Sequence, residues 1–360
     1  MGSPARLGRE LERHGLAGFL AAFPPHSARR DRWAREAASL DGTLRALVGL
    51  FLLGEAVELD ALPPAVAETL PVLVEAGAAE AEDGTVRLRD VALLRPFGVW
   101  LLAELPGPLV VQSYFGPDSL ALAGHATYRA NGRCLDLCAG PGFQGLFAAG
   151  RCRSATLVEL LPEVARLAEL NAELNGLDGR VDVRCGDLYA PLDGERYDHV
   201  VANVPFIAVP EGRPFPLAGA GGEDGFAVGR RVLAGLPEHL ADDGTAHLAA
   251  LLFRNGRDLV FSDELAAWAR DSGRSVQAVL TAELPVAADS GLVRATAAAI
   301  ASSSDGADED DVAAEVADGY RRLGATSASW TFLRIDRGPA RVTVLDLGRQ
   351  SRVGPWVSMT

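Results

Sequence analysis

The sequence predicts an α/β chain in which a doubly wound, mostly parallel sheet follows a helical, winged-helix-like segment. Three observations carry this. From about residue 133, short apolar runs alternate with helix-length amphipathic ones, the pattern of right-handed βαβ crossovers. The first of these runs ends in an acid and enters a glycine-rich turn, Asp136-Leu137-Cys138-Ala139-Gly140-Pro141-Gly142-Phe143-Gln144-Gly145. The later runs end in polar residues too, at Glu159, Asp187 and Asn203, and ligands of such sheets gather at the carboxyl ends of the strands.

In chain order, the first 40 or so residues read as one or two short helices separated by Pro24-Pro25, with Arg6, Arg9, Arg13, Arg29, Arg30, Arg32 and Arg35 on polar faces. Residues 40–53 form an apolar helix opened by Asp41. A short extended piece at 57–59 precedes a second helix at 63–76, which Pro64 begins and Pro71 kinks. Residues 79–81 and 85–88 flank Asp83-Gly84, a strong hairpin signal. Helix, short strand, helix, hairpin is the order of a winged helix, and this front unit is expected over residues 1–105.

A linker at Pro106-Gly107-Pro108 opens the second unit, 106–360. Its strands are expected at 133–138, 155–160, 181–185, 199–203 and 246–252, with helices at 161–175 and 228–240. Residues 275–286 read as a further strand and 287–323 as a helical insertion. The insertion's acidic run, 305–311, reads as a solvated loop. Two last strands, 329–336 and 341–347, are joined by a turn at Gly338-Pro339.

The formal net charge is -14 and every fixed side-chain cation is arginine. Nucleic-acid binding draws most of its affinity from neutralised phosphates, so the acidity disfavours that class. The helix that would read a DNA groove argues the same way. Residues 61–80 hold no arginine or lysine, and Glu68, Glu75 and Glu80 are their only charged residues. The front unit is therefore read as a packing, dimerising or substrate-covering module. No apolar run approaches the roughly 20 residues of a membrane span, and the first dozen residues lack the apolar core of a leader, so a cytoplasmic protein is expected. Cys134, Cys138, Cys152 and Cys185 are expected as buried thiols, and the scattered His125, His199, His239 and His247 suggest no metal site.

The chemistry lies at the strand ends. Glycines after Asp136 let the backbone turn tightly and approach a ligand, beside the first amides of a helix. Glu159 can take both hydroxyls of a ribose. Cys185-Gly186-Asp187-Leu188 places an acid where an adenine amino group would lie. Most specific is Asn203-Val204-Pro205-Phe206. A planar nitrogen has a delocalised lone pair, and the Asn203 oxygen with a carbonyl near Val204 or Pro205 can accept its N–H bonds. Phe206 offers a face for stacking a flat substrate.

Residues of about 110–260 resemble the class I S-adenosylmethionine-dependent methyltransferases, with their Rossmann-like sheet. Within these they are similar to release-factor glutamine and small-domain ribosomal RNA guanine methyltransferases, whose glycine-rich loop Gly221-Gly222-Glu223-Asp224-Gly225 also resembles. The resemblance implies S-adenosylmethionine as cofactor, held by Asp136, Cys138, Ala139, Gly140, Gly142, Gln144, Glu159, Leu160, Gly186, Asp187, Leu188 and Asn203. It makes Asn203, Val204, Pro205 and Phe206 the transfer site, with Tyr114, Phe115, Phe206 and Glu223 toward the acceptor. Two departures stand out. Cys138 replaces the glycine usual after the first acid, and Val204 stands where the glutamine enzymes have proline.

The implied reaction is N-methylation of a planar nitrogen on a small molecule or a protein. An RNA base is the alternative acceptor, and a homodimer through the front unit is a further expectation. A ligand-sensing winged-helix regulator and an NAD-dependent oxidoreductase are the competing classes. The turn 140–145 also fits the dinucleotide spacing, but Asp187 and Asn203 favour S-adenosylmethionine.

Overall fold

A strand buried on both faces needs apolar residues at nearly every position, and residues 246–253 supply them with one histidine among eight. That strand lies inside the sheet that organises the chain. The computed structural model describes residues 3–23, 29–105, 112–304 and 306–348. The linker at 106–108, the pair Pro24-Pro25 and Asp305 fall outside this range.

The front begins with α1 (Pro4–Arg13), α2 (Leu16–Ala21), α3 (Arg30–Ala37) and α4 (Gly42–Val48), the last continuing into a wider-wound turn to Leu53. Strand β1 (Val57–Glu58) and helices α5 (Pro64–Ala67) and α6 (Leu70–Glu75) lead to the hairpin β2 (Ala79–Glu82) and β3 (Thr85–Leu88). The expected kink at Pro71 is a break at Glu68 and Thr69 instead, because proline fits the first turn of a new helix better than the interior of an old one. Asp83 and Gly84 both take positive φ, as the two-residue hairpin turn requires. The three strands pair in the order β1-β3-β2, and β4 (Val91–Leu94) pairs with β5 (Leu101–Glu104).

Then follow α7 (Pro117–His125), β6 (Arg133–Leu137), α8 (Phe143–Ala149), β7 (Ser154–Glu159), α9 (Pro162–Leu174), β8 (Val181–Cys185) and β9 (Tyr197–Asn203). Next come α10 (Ala227–His239), β10 (Leu240–Asn255), β11 (Asp258–Leu259), α11 (Ser262–Ser272), β12 (Arg274–Pro285), α12 (Gly291–Ser302), α13 (Glu309–Arg322), β13 (Ser327–Arg337) and β14 (Val342–Asp346). The sheet runs β14-β12-β13-β10-β9-β6-β7-β8, with β11 paired to β10. Strands β8, β7, β6, β9 and β10 are parallel. From β6 the chain winds outward to β8, then returns to place β9 on the other side of β6. The crevice between the ends of β6 and β9 is thus the switch point where ligands of such sheets bind.

Two expectations about the end of the chain need correction. The turn at Gly338-Pro339 does not make a hairpin, because β14 pairs in parallel with β12 and leaves β13 between β12 and β10. The acidic run is not simply a loop: Asp308 caps α13, accepting from the amides of Asp310 and Asp311, and Glu309 to Asp311 fill its first turn. Carboxylates there offset the unsatisfied N–H groups and the positive helix end. A third concerns Cys185, which is exposed, because β8 is the sheet's edge.

The front does not stand apart from the sheet. Leu7, Leu11, Trp100, Phe143, Leu146, Leu170 and Leu174 share one buried cluster. Asn171 of α9 accepts from the Leu102 N–H and donates to the carbonyls of Leu102 and Pro141. It ties β5, α9 and the glycine-rich loop together. Among the described residues no helix is long and apolar enough to cross a membrane.

Candidate functional site

Four strand ends, those of β6, β7, β8 and β9, and the segment before α7 enclose one cavity. Strand β6 delivers the chain into its turn through Cys138, at φ 56°, and then Gly140, at φ 55°. Left-handed backbone at a cysteine costs on the order of 1 kcal/mol, and such strain collects at ligand sites. Cys138, Ala139, Gly140 and Gln144 line the cavity, but Gly142 does not. A Cβ on Gly142 would lie 3.0 Å from Leu157 and 3.2 Å from the Ala168 methyl, so this glycine serves the packing of the turn on β7 and α9.

Asp136 is likewise behind the cavity. Its Oδ2 accepts from the Gly145 N–H at 2.7 Å, which removes one first-turn amide of α8 from any ligand. Burial, with the Glu159 charge adding to it, pushes its carboxyl up to about 8, against the opposing Gly145 hydrogen bond. The unfolded chain releases this proton near 3.8 and the fold holds it until about 8. The site therefore opposes folding increasingly as pH rises through that interval, by at most about 1.4 kcal/mol per pH unit. The melting temperature, followed from about pH 5 to about 9, should decline with a slope that Asp136→Asn flattens. An unchanged slope would assign the decline to another group.

Glu159 ends β7 with both carboxylate oxygens on backbone amides: Gly140 at 2.8 Å and Leu161 at 2.9 Å. It staples the β6 turn to the start of α9. Leu160 beside it is an exposed leucine on the cavity rim. Across the opening lie Gly186, Asp187 and Leu188, the last at φ 50°. Asp187 is ion-paired with Arg231 of α10 at 2.7 Å, both about half exposed, and Arg231 also lines the cavity.

Asn203 ends β9. Its Nδ2 donates to Asp118 Oδ2 at 2.6 Å and Ser119 Oγ at 3.2 Å, both on α7. Its Oδ1 is buried with no hydrogen-bond partner among the described residues. Asp118 is fully buried. Its other oxygen accepts from the Tyr114 hydroxyl at 2.6 Å, and burial raises both groups. Tyr114, Ser119, Asn203 and Pro205 are cavity wall.

The rest of the expected transfer and acceptor set points elsewhere. Val204 is in the core below the sheet end. Phe206 meets Trp330 edge-to-face at 4.9 Å, because β13 brings a ring to it, and so does not face the cavity. Phe115 is buried against Phe143 at 4.9 Å. Glu223 lies in a second concavity with Glu211, Tyr320 and Arg322.

The chain after Phe206 makes the remaining wall. Ile207 donates to the Gly219 carbonyl and accepts from Gly221, and Val209 donates to Gly222. This folds Leu217, Ala218 and Ala220 over the cavity. A Cβ on Gly221 would stand 2.8 Å from the Phe206 Cα, and one on Gly225 2.6 Å from the Phe206 carbonyl. The glycine-rich loop is pressed on the 203–206 backbone itself.

Sequence reasoning missed Asp118, Ser119, Arg231 and Leu217. Asp118 and Ser119 could have been suspected from Pro117-Asp118-Ser119, a helix start directly ahead of the sheet. Arg231 and Leu217 carry no local signal. The wall as a whole is apolar with unspent acceptors, Gln144 Oε1 and Asn203 Oδ1, and suits a ligand that brings N–H donors or positive charge.

Residues 115–251 match the family model described as the methyltransferase small domain. Ribosomal protein uL3 glutamine methyltransferase of Bradyrhizobium diazoefficiens is 40% identical over 147 residues, 38% of this chain and 46% of that protein. The enzyme of the same name from Bordetella pertussis is 33% identical over 158 residues, 41% of this chain and 53% of its own. The chain spans about half the length of the curated relatives it matches. The tRNA m1G37 methyltransferase of M. jannaschii superposes with a TM-score of 0.42 at 12% identity, over 73% of this chain and 59% of that one, a likeness too loose to carry an argument. Over residues 115–251 the chain is thus similar to the methyltransferase small domain, a class whose cofactor is S-adenosylmethionine.

Proposed function

We propose that this chain transfers a methyl group from S-adenosylmethionine to the side-chain amide nitrogen of a glutamine in a protein acceptor. The supporting observation is the buried, unpartnered Oδ1 of Asn203 beside the cavity, with its Nδ2 fully engaged. The relatives' names give ribosomal protein uL3 as their acceptor, which favours the protein over the small molecule among the two acceptors that the sequence left open.

The cofactor brings an electrophilic methyl group on a positively charged sulfur. The cavity's residues fit it: Gln144 Oε1 is free to accept from an amino group. Glu159 would lie toward the ribose and Asp187 with Leu188 toward the adenine. The chain's own task is orientation. An amide nitrogen is a poor nucleophile, and holding its N–H bonds on Asn203 Oδ1 and a carbonyl near Pro205 aims it at the methyl carbon. The same acceptors stabilise the positive charge that builds on nitrogen before its proton leaves.

Methyl-labelled S-adenosylmethionine incubated with this protein and recombinant uL3 should place label on a uL3 glutamine. Absence of label from uL3 would overturn this acceptor, and binding of NAD without S-adenosylhomocysteine would overturn the cofactor. A binding variant follows from the same geometry. Glu159→Ala frees two backbone amides and loosens the β6 turn, so S-adenosylhomocysteine affinity should fall by about 10–100-fold in calorimetry. Undiminished affinity would place the nucleoside elsewhere.

A further inference from the structure

We propose that Asp118 is a positioning residue that sets which end of the Asn203 amide faces the acceptor, an inference that rests on the methyl-transfer reading above. A carboxamide is nearly symmetric in shape, and turning it by half exchanges oxygen for nitrogen. Only one orientation works. With Oδ1 toward the cavity, Asn203 accepts from an acceptor amide; with Nδ2 toward it, donor meets donor. Nothing within Asn203 selects between them, so a neighbour must.

An ionised carboxylate accepts and cannot donate. Asp118 Oδ2 stands 2.6 Å from Nδ2 across 85 residues of chain, and this contact pins the nitrogen away from the cavity. Ser119 Oγ, at 3.2 Å, can accept or donate and is too indifferent to choose. The carboxylate is itself fixed: its Oδ1 takes the Tyr114 hydroxyl at 2.6 Å. Gly116 lets that ring fold back, since a Cβ there would overlap the Tyr114 hydroxyl. One buried carboxyl group thereby orients an aromatic on the cavity wall and the amide at the end of β9. Asp118 is fully buried and is not part of the wall, so it acts through Asn203 and not on the acceptor.

The test uses the full chain, with recombinant uL3 and methyl-labelled S-adenosylmethionine as probes. Asp118→Asn keeps the shape but can present either end to Asn203. It should lower kcat by about 10–100-fold while KM for uL3 and affinity for S-adenosylhomocysteine stay within about threefold. In an Asn203→Ala background it should cost nothing more, since the residue it acts through is gone. Additive losses, or an unaltered kcat, overturn the proposal. A second readout needs no acceptor and no Asp118 variant. In the wild-type protein one Asn203 side-chain amide proton, assigned by its loss in Asn203→Ala, should resonate well downfield of free carboxamides. Its presence among the free amides would overturn the proposal. If uL3 takes no label, the acceptor reading fails and the resonance alone decides Asp118.

Discussion

Asn203→Ala should lower kcat for transfer to uL3 by about 10²–10³-fold and leave S-adenosylhomocysteine affinity within about threefold. The asymmetry follows from where the side chain sits. Its Nδ2 is spent on Asp118 and Ser119 and its Oδ1 on nothing in the protein. Removing it therefore takes away an acceptor proposed to act on the developing cation, while the cavity wall at Cys138 to Pro141, Gln144, Glu159 to Leu161 and Gly186 to Leu188 stays in place. Single-turnover rates with the labelled cofactor, set beside calorimetry, separate the two. A parallel loss of affinity and rate would show that Asn203 mainly shapes the cofactor pocket. The steric loss in Asn203→Ala is small, but Asp118 loses a donor, so thermal stability should be recorded alongside.

Gly225→Ala should be strongly destabilising. The residue has φ 76°, which a Cβ disfavours, and the added atom would lie 2.6 Å from the Phe206 carbonyl and 3.3 Å from the Ala208 nitrogen. Backbone cannot swing aside as a side-chain tip can. Left-handed strain and the forced displacement together should cost about 2–4 kcal/mol in denaturant unfolding. The segment that yields carries Pro205 and, two residues earlier, Asn203, so the fraction that stays folded should also be slow. Gly222→Ala is the control, since its Cβ would meet only the Ala227 methyl, at 2.8 Å, along with its own positive φ. Full stability and rate in Gly225→Ala would mean that the loop is free to lift from Phe206.

The inner strands could be read because each holds an apolar run closed by a polar residue, and β8, which alternates at the sheet edge, falls at 181–185 as expected. Cys138, Gly140, Glu159, Asp187 and Asn203 were legible as cavity wall for the same reason. Residues that end parallel strands side by side are brought together by the topology alone. What was not legible depends on partners remote in the chain. Phe206 turns from the cavity because Trp330, 124 positions on, offers its ring edge-to-face. Asp136 was read as a ligand when its oxygen is taken by Gly145 nine residues away, a contact that the turn's shape determines and its composition does not. The outer place of β14 rests on a choice of sheet edge that both arrangements of the Gly338-Pro339 turn would satisfy locally.

Asn171 has a consequence for the front of the chain. Its single carboxamide holds Leu102 of β5 with one hand and the Pro141 carbonyl of the glycine-rich turn after β6 with the other. None of the described residues 3–105 touches the cavity, yet opening β5 releases a group that steadies the turn. Thermodynamic linkage is reciprocal: whatever free energy a bound nucleoside adds to the turn through Asn171 is added to the cost of detaching β5. A ligand seated against the turn and a residue change in the front segment would then act on one another through Asn171, with no residue of the cavity wall altered.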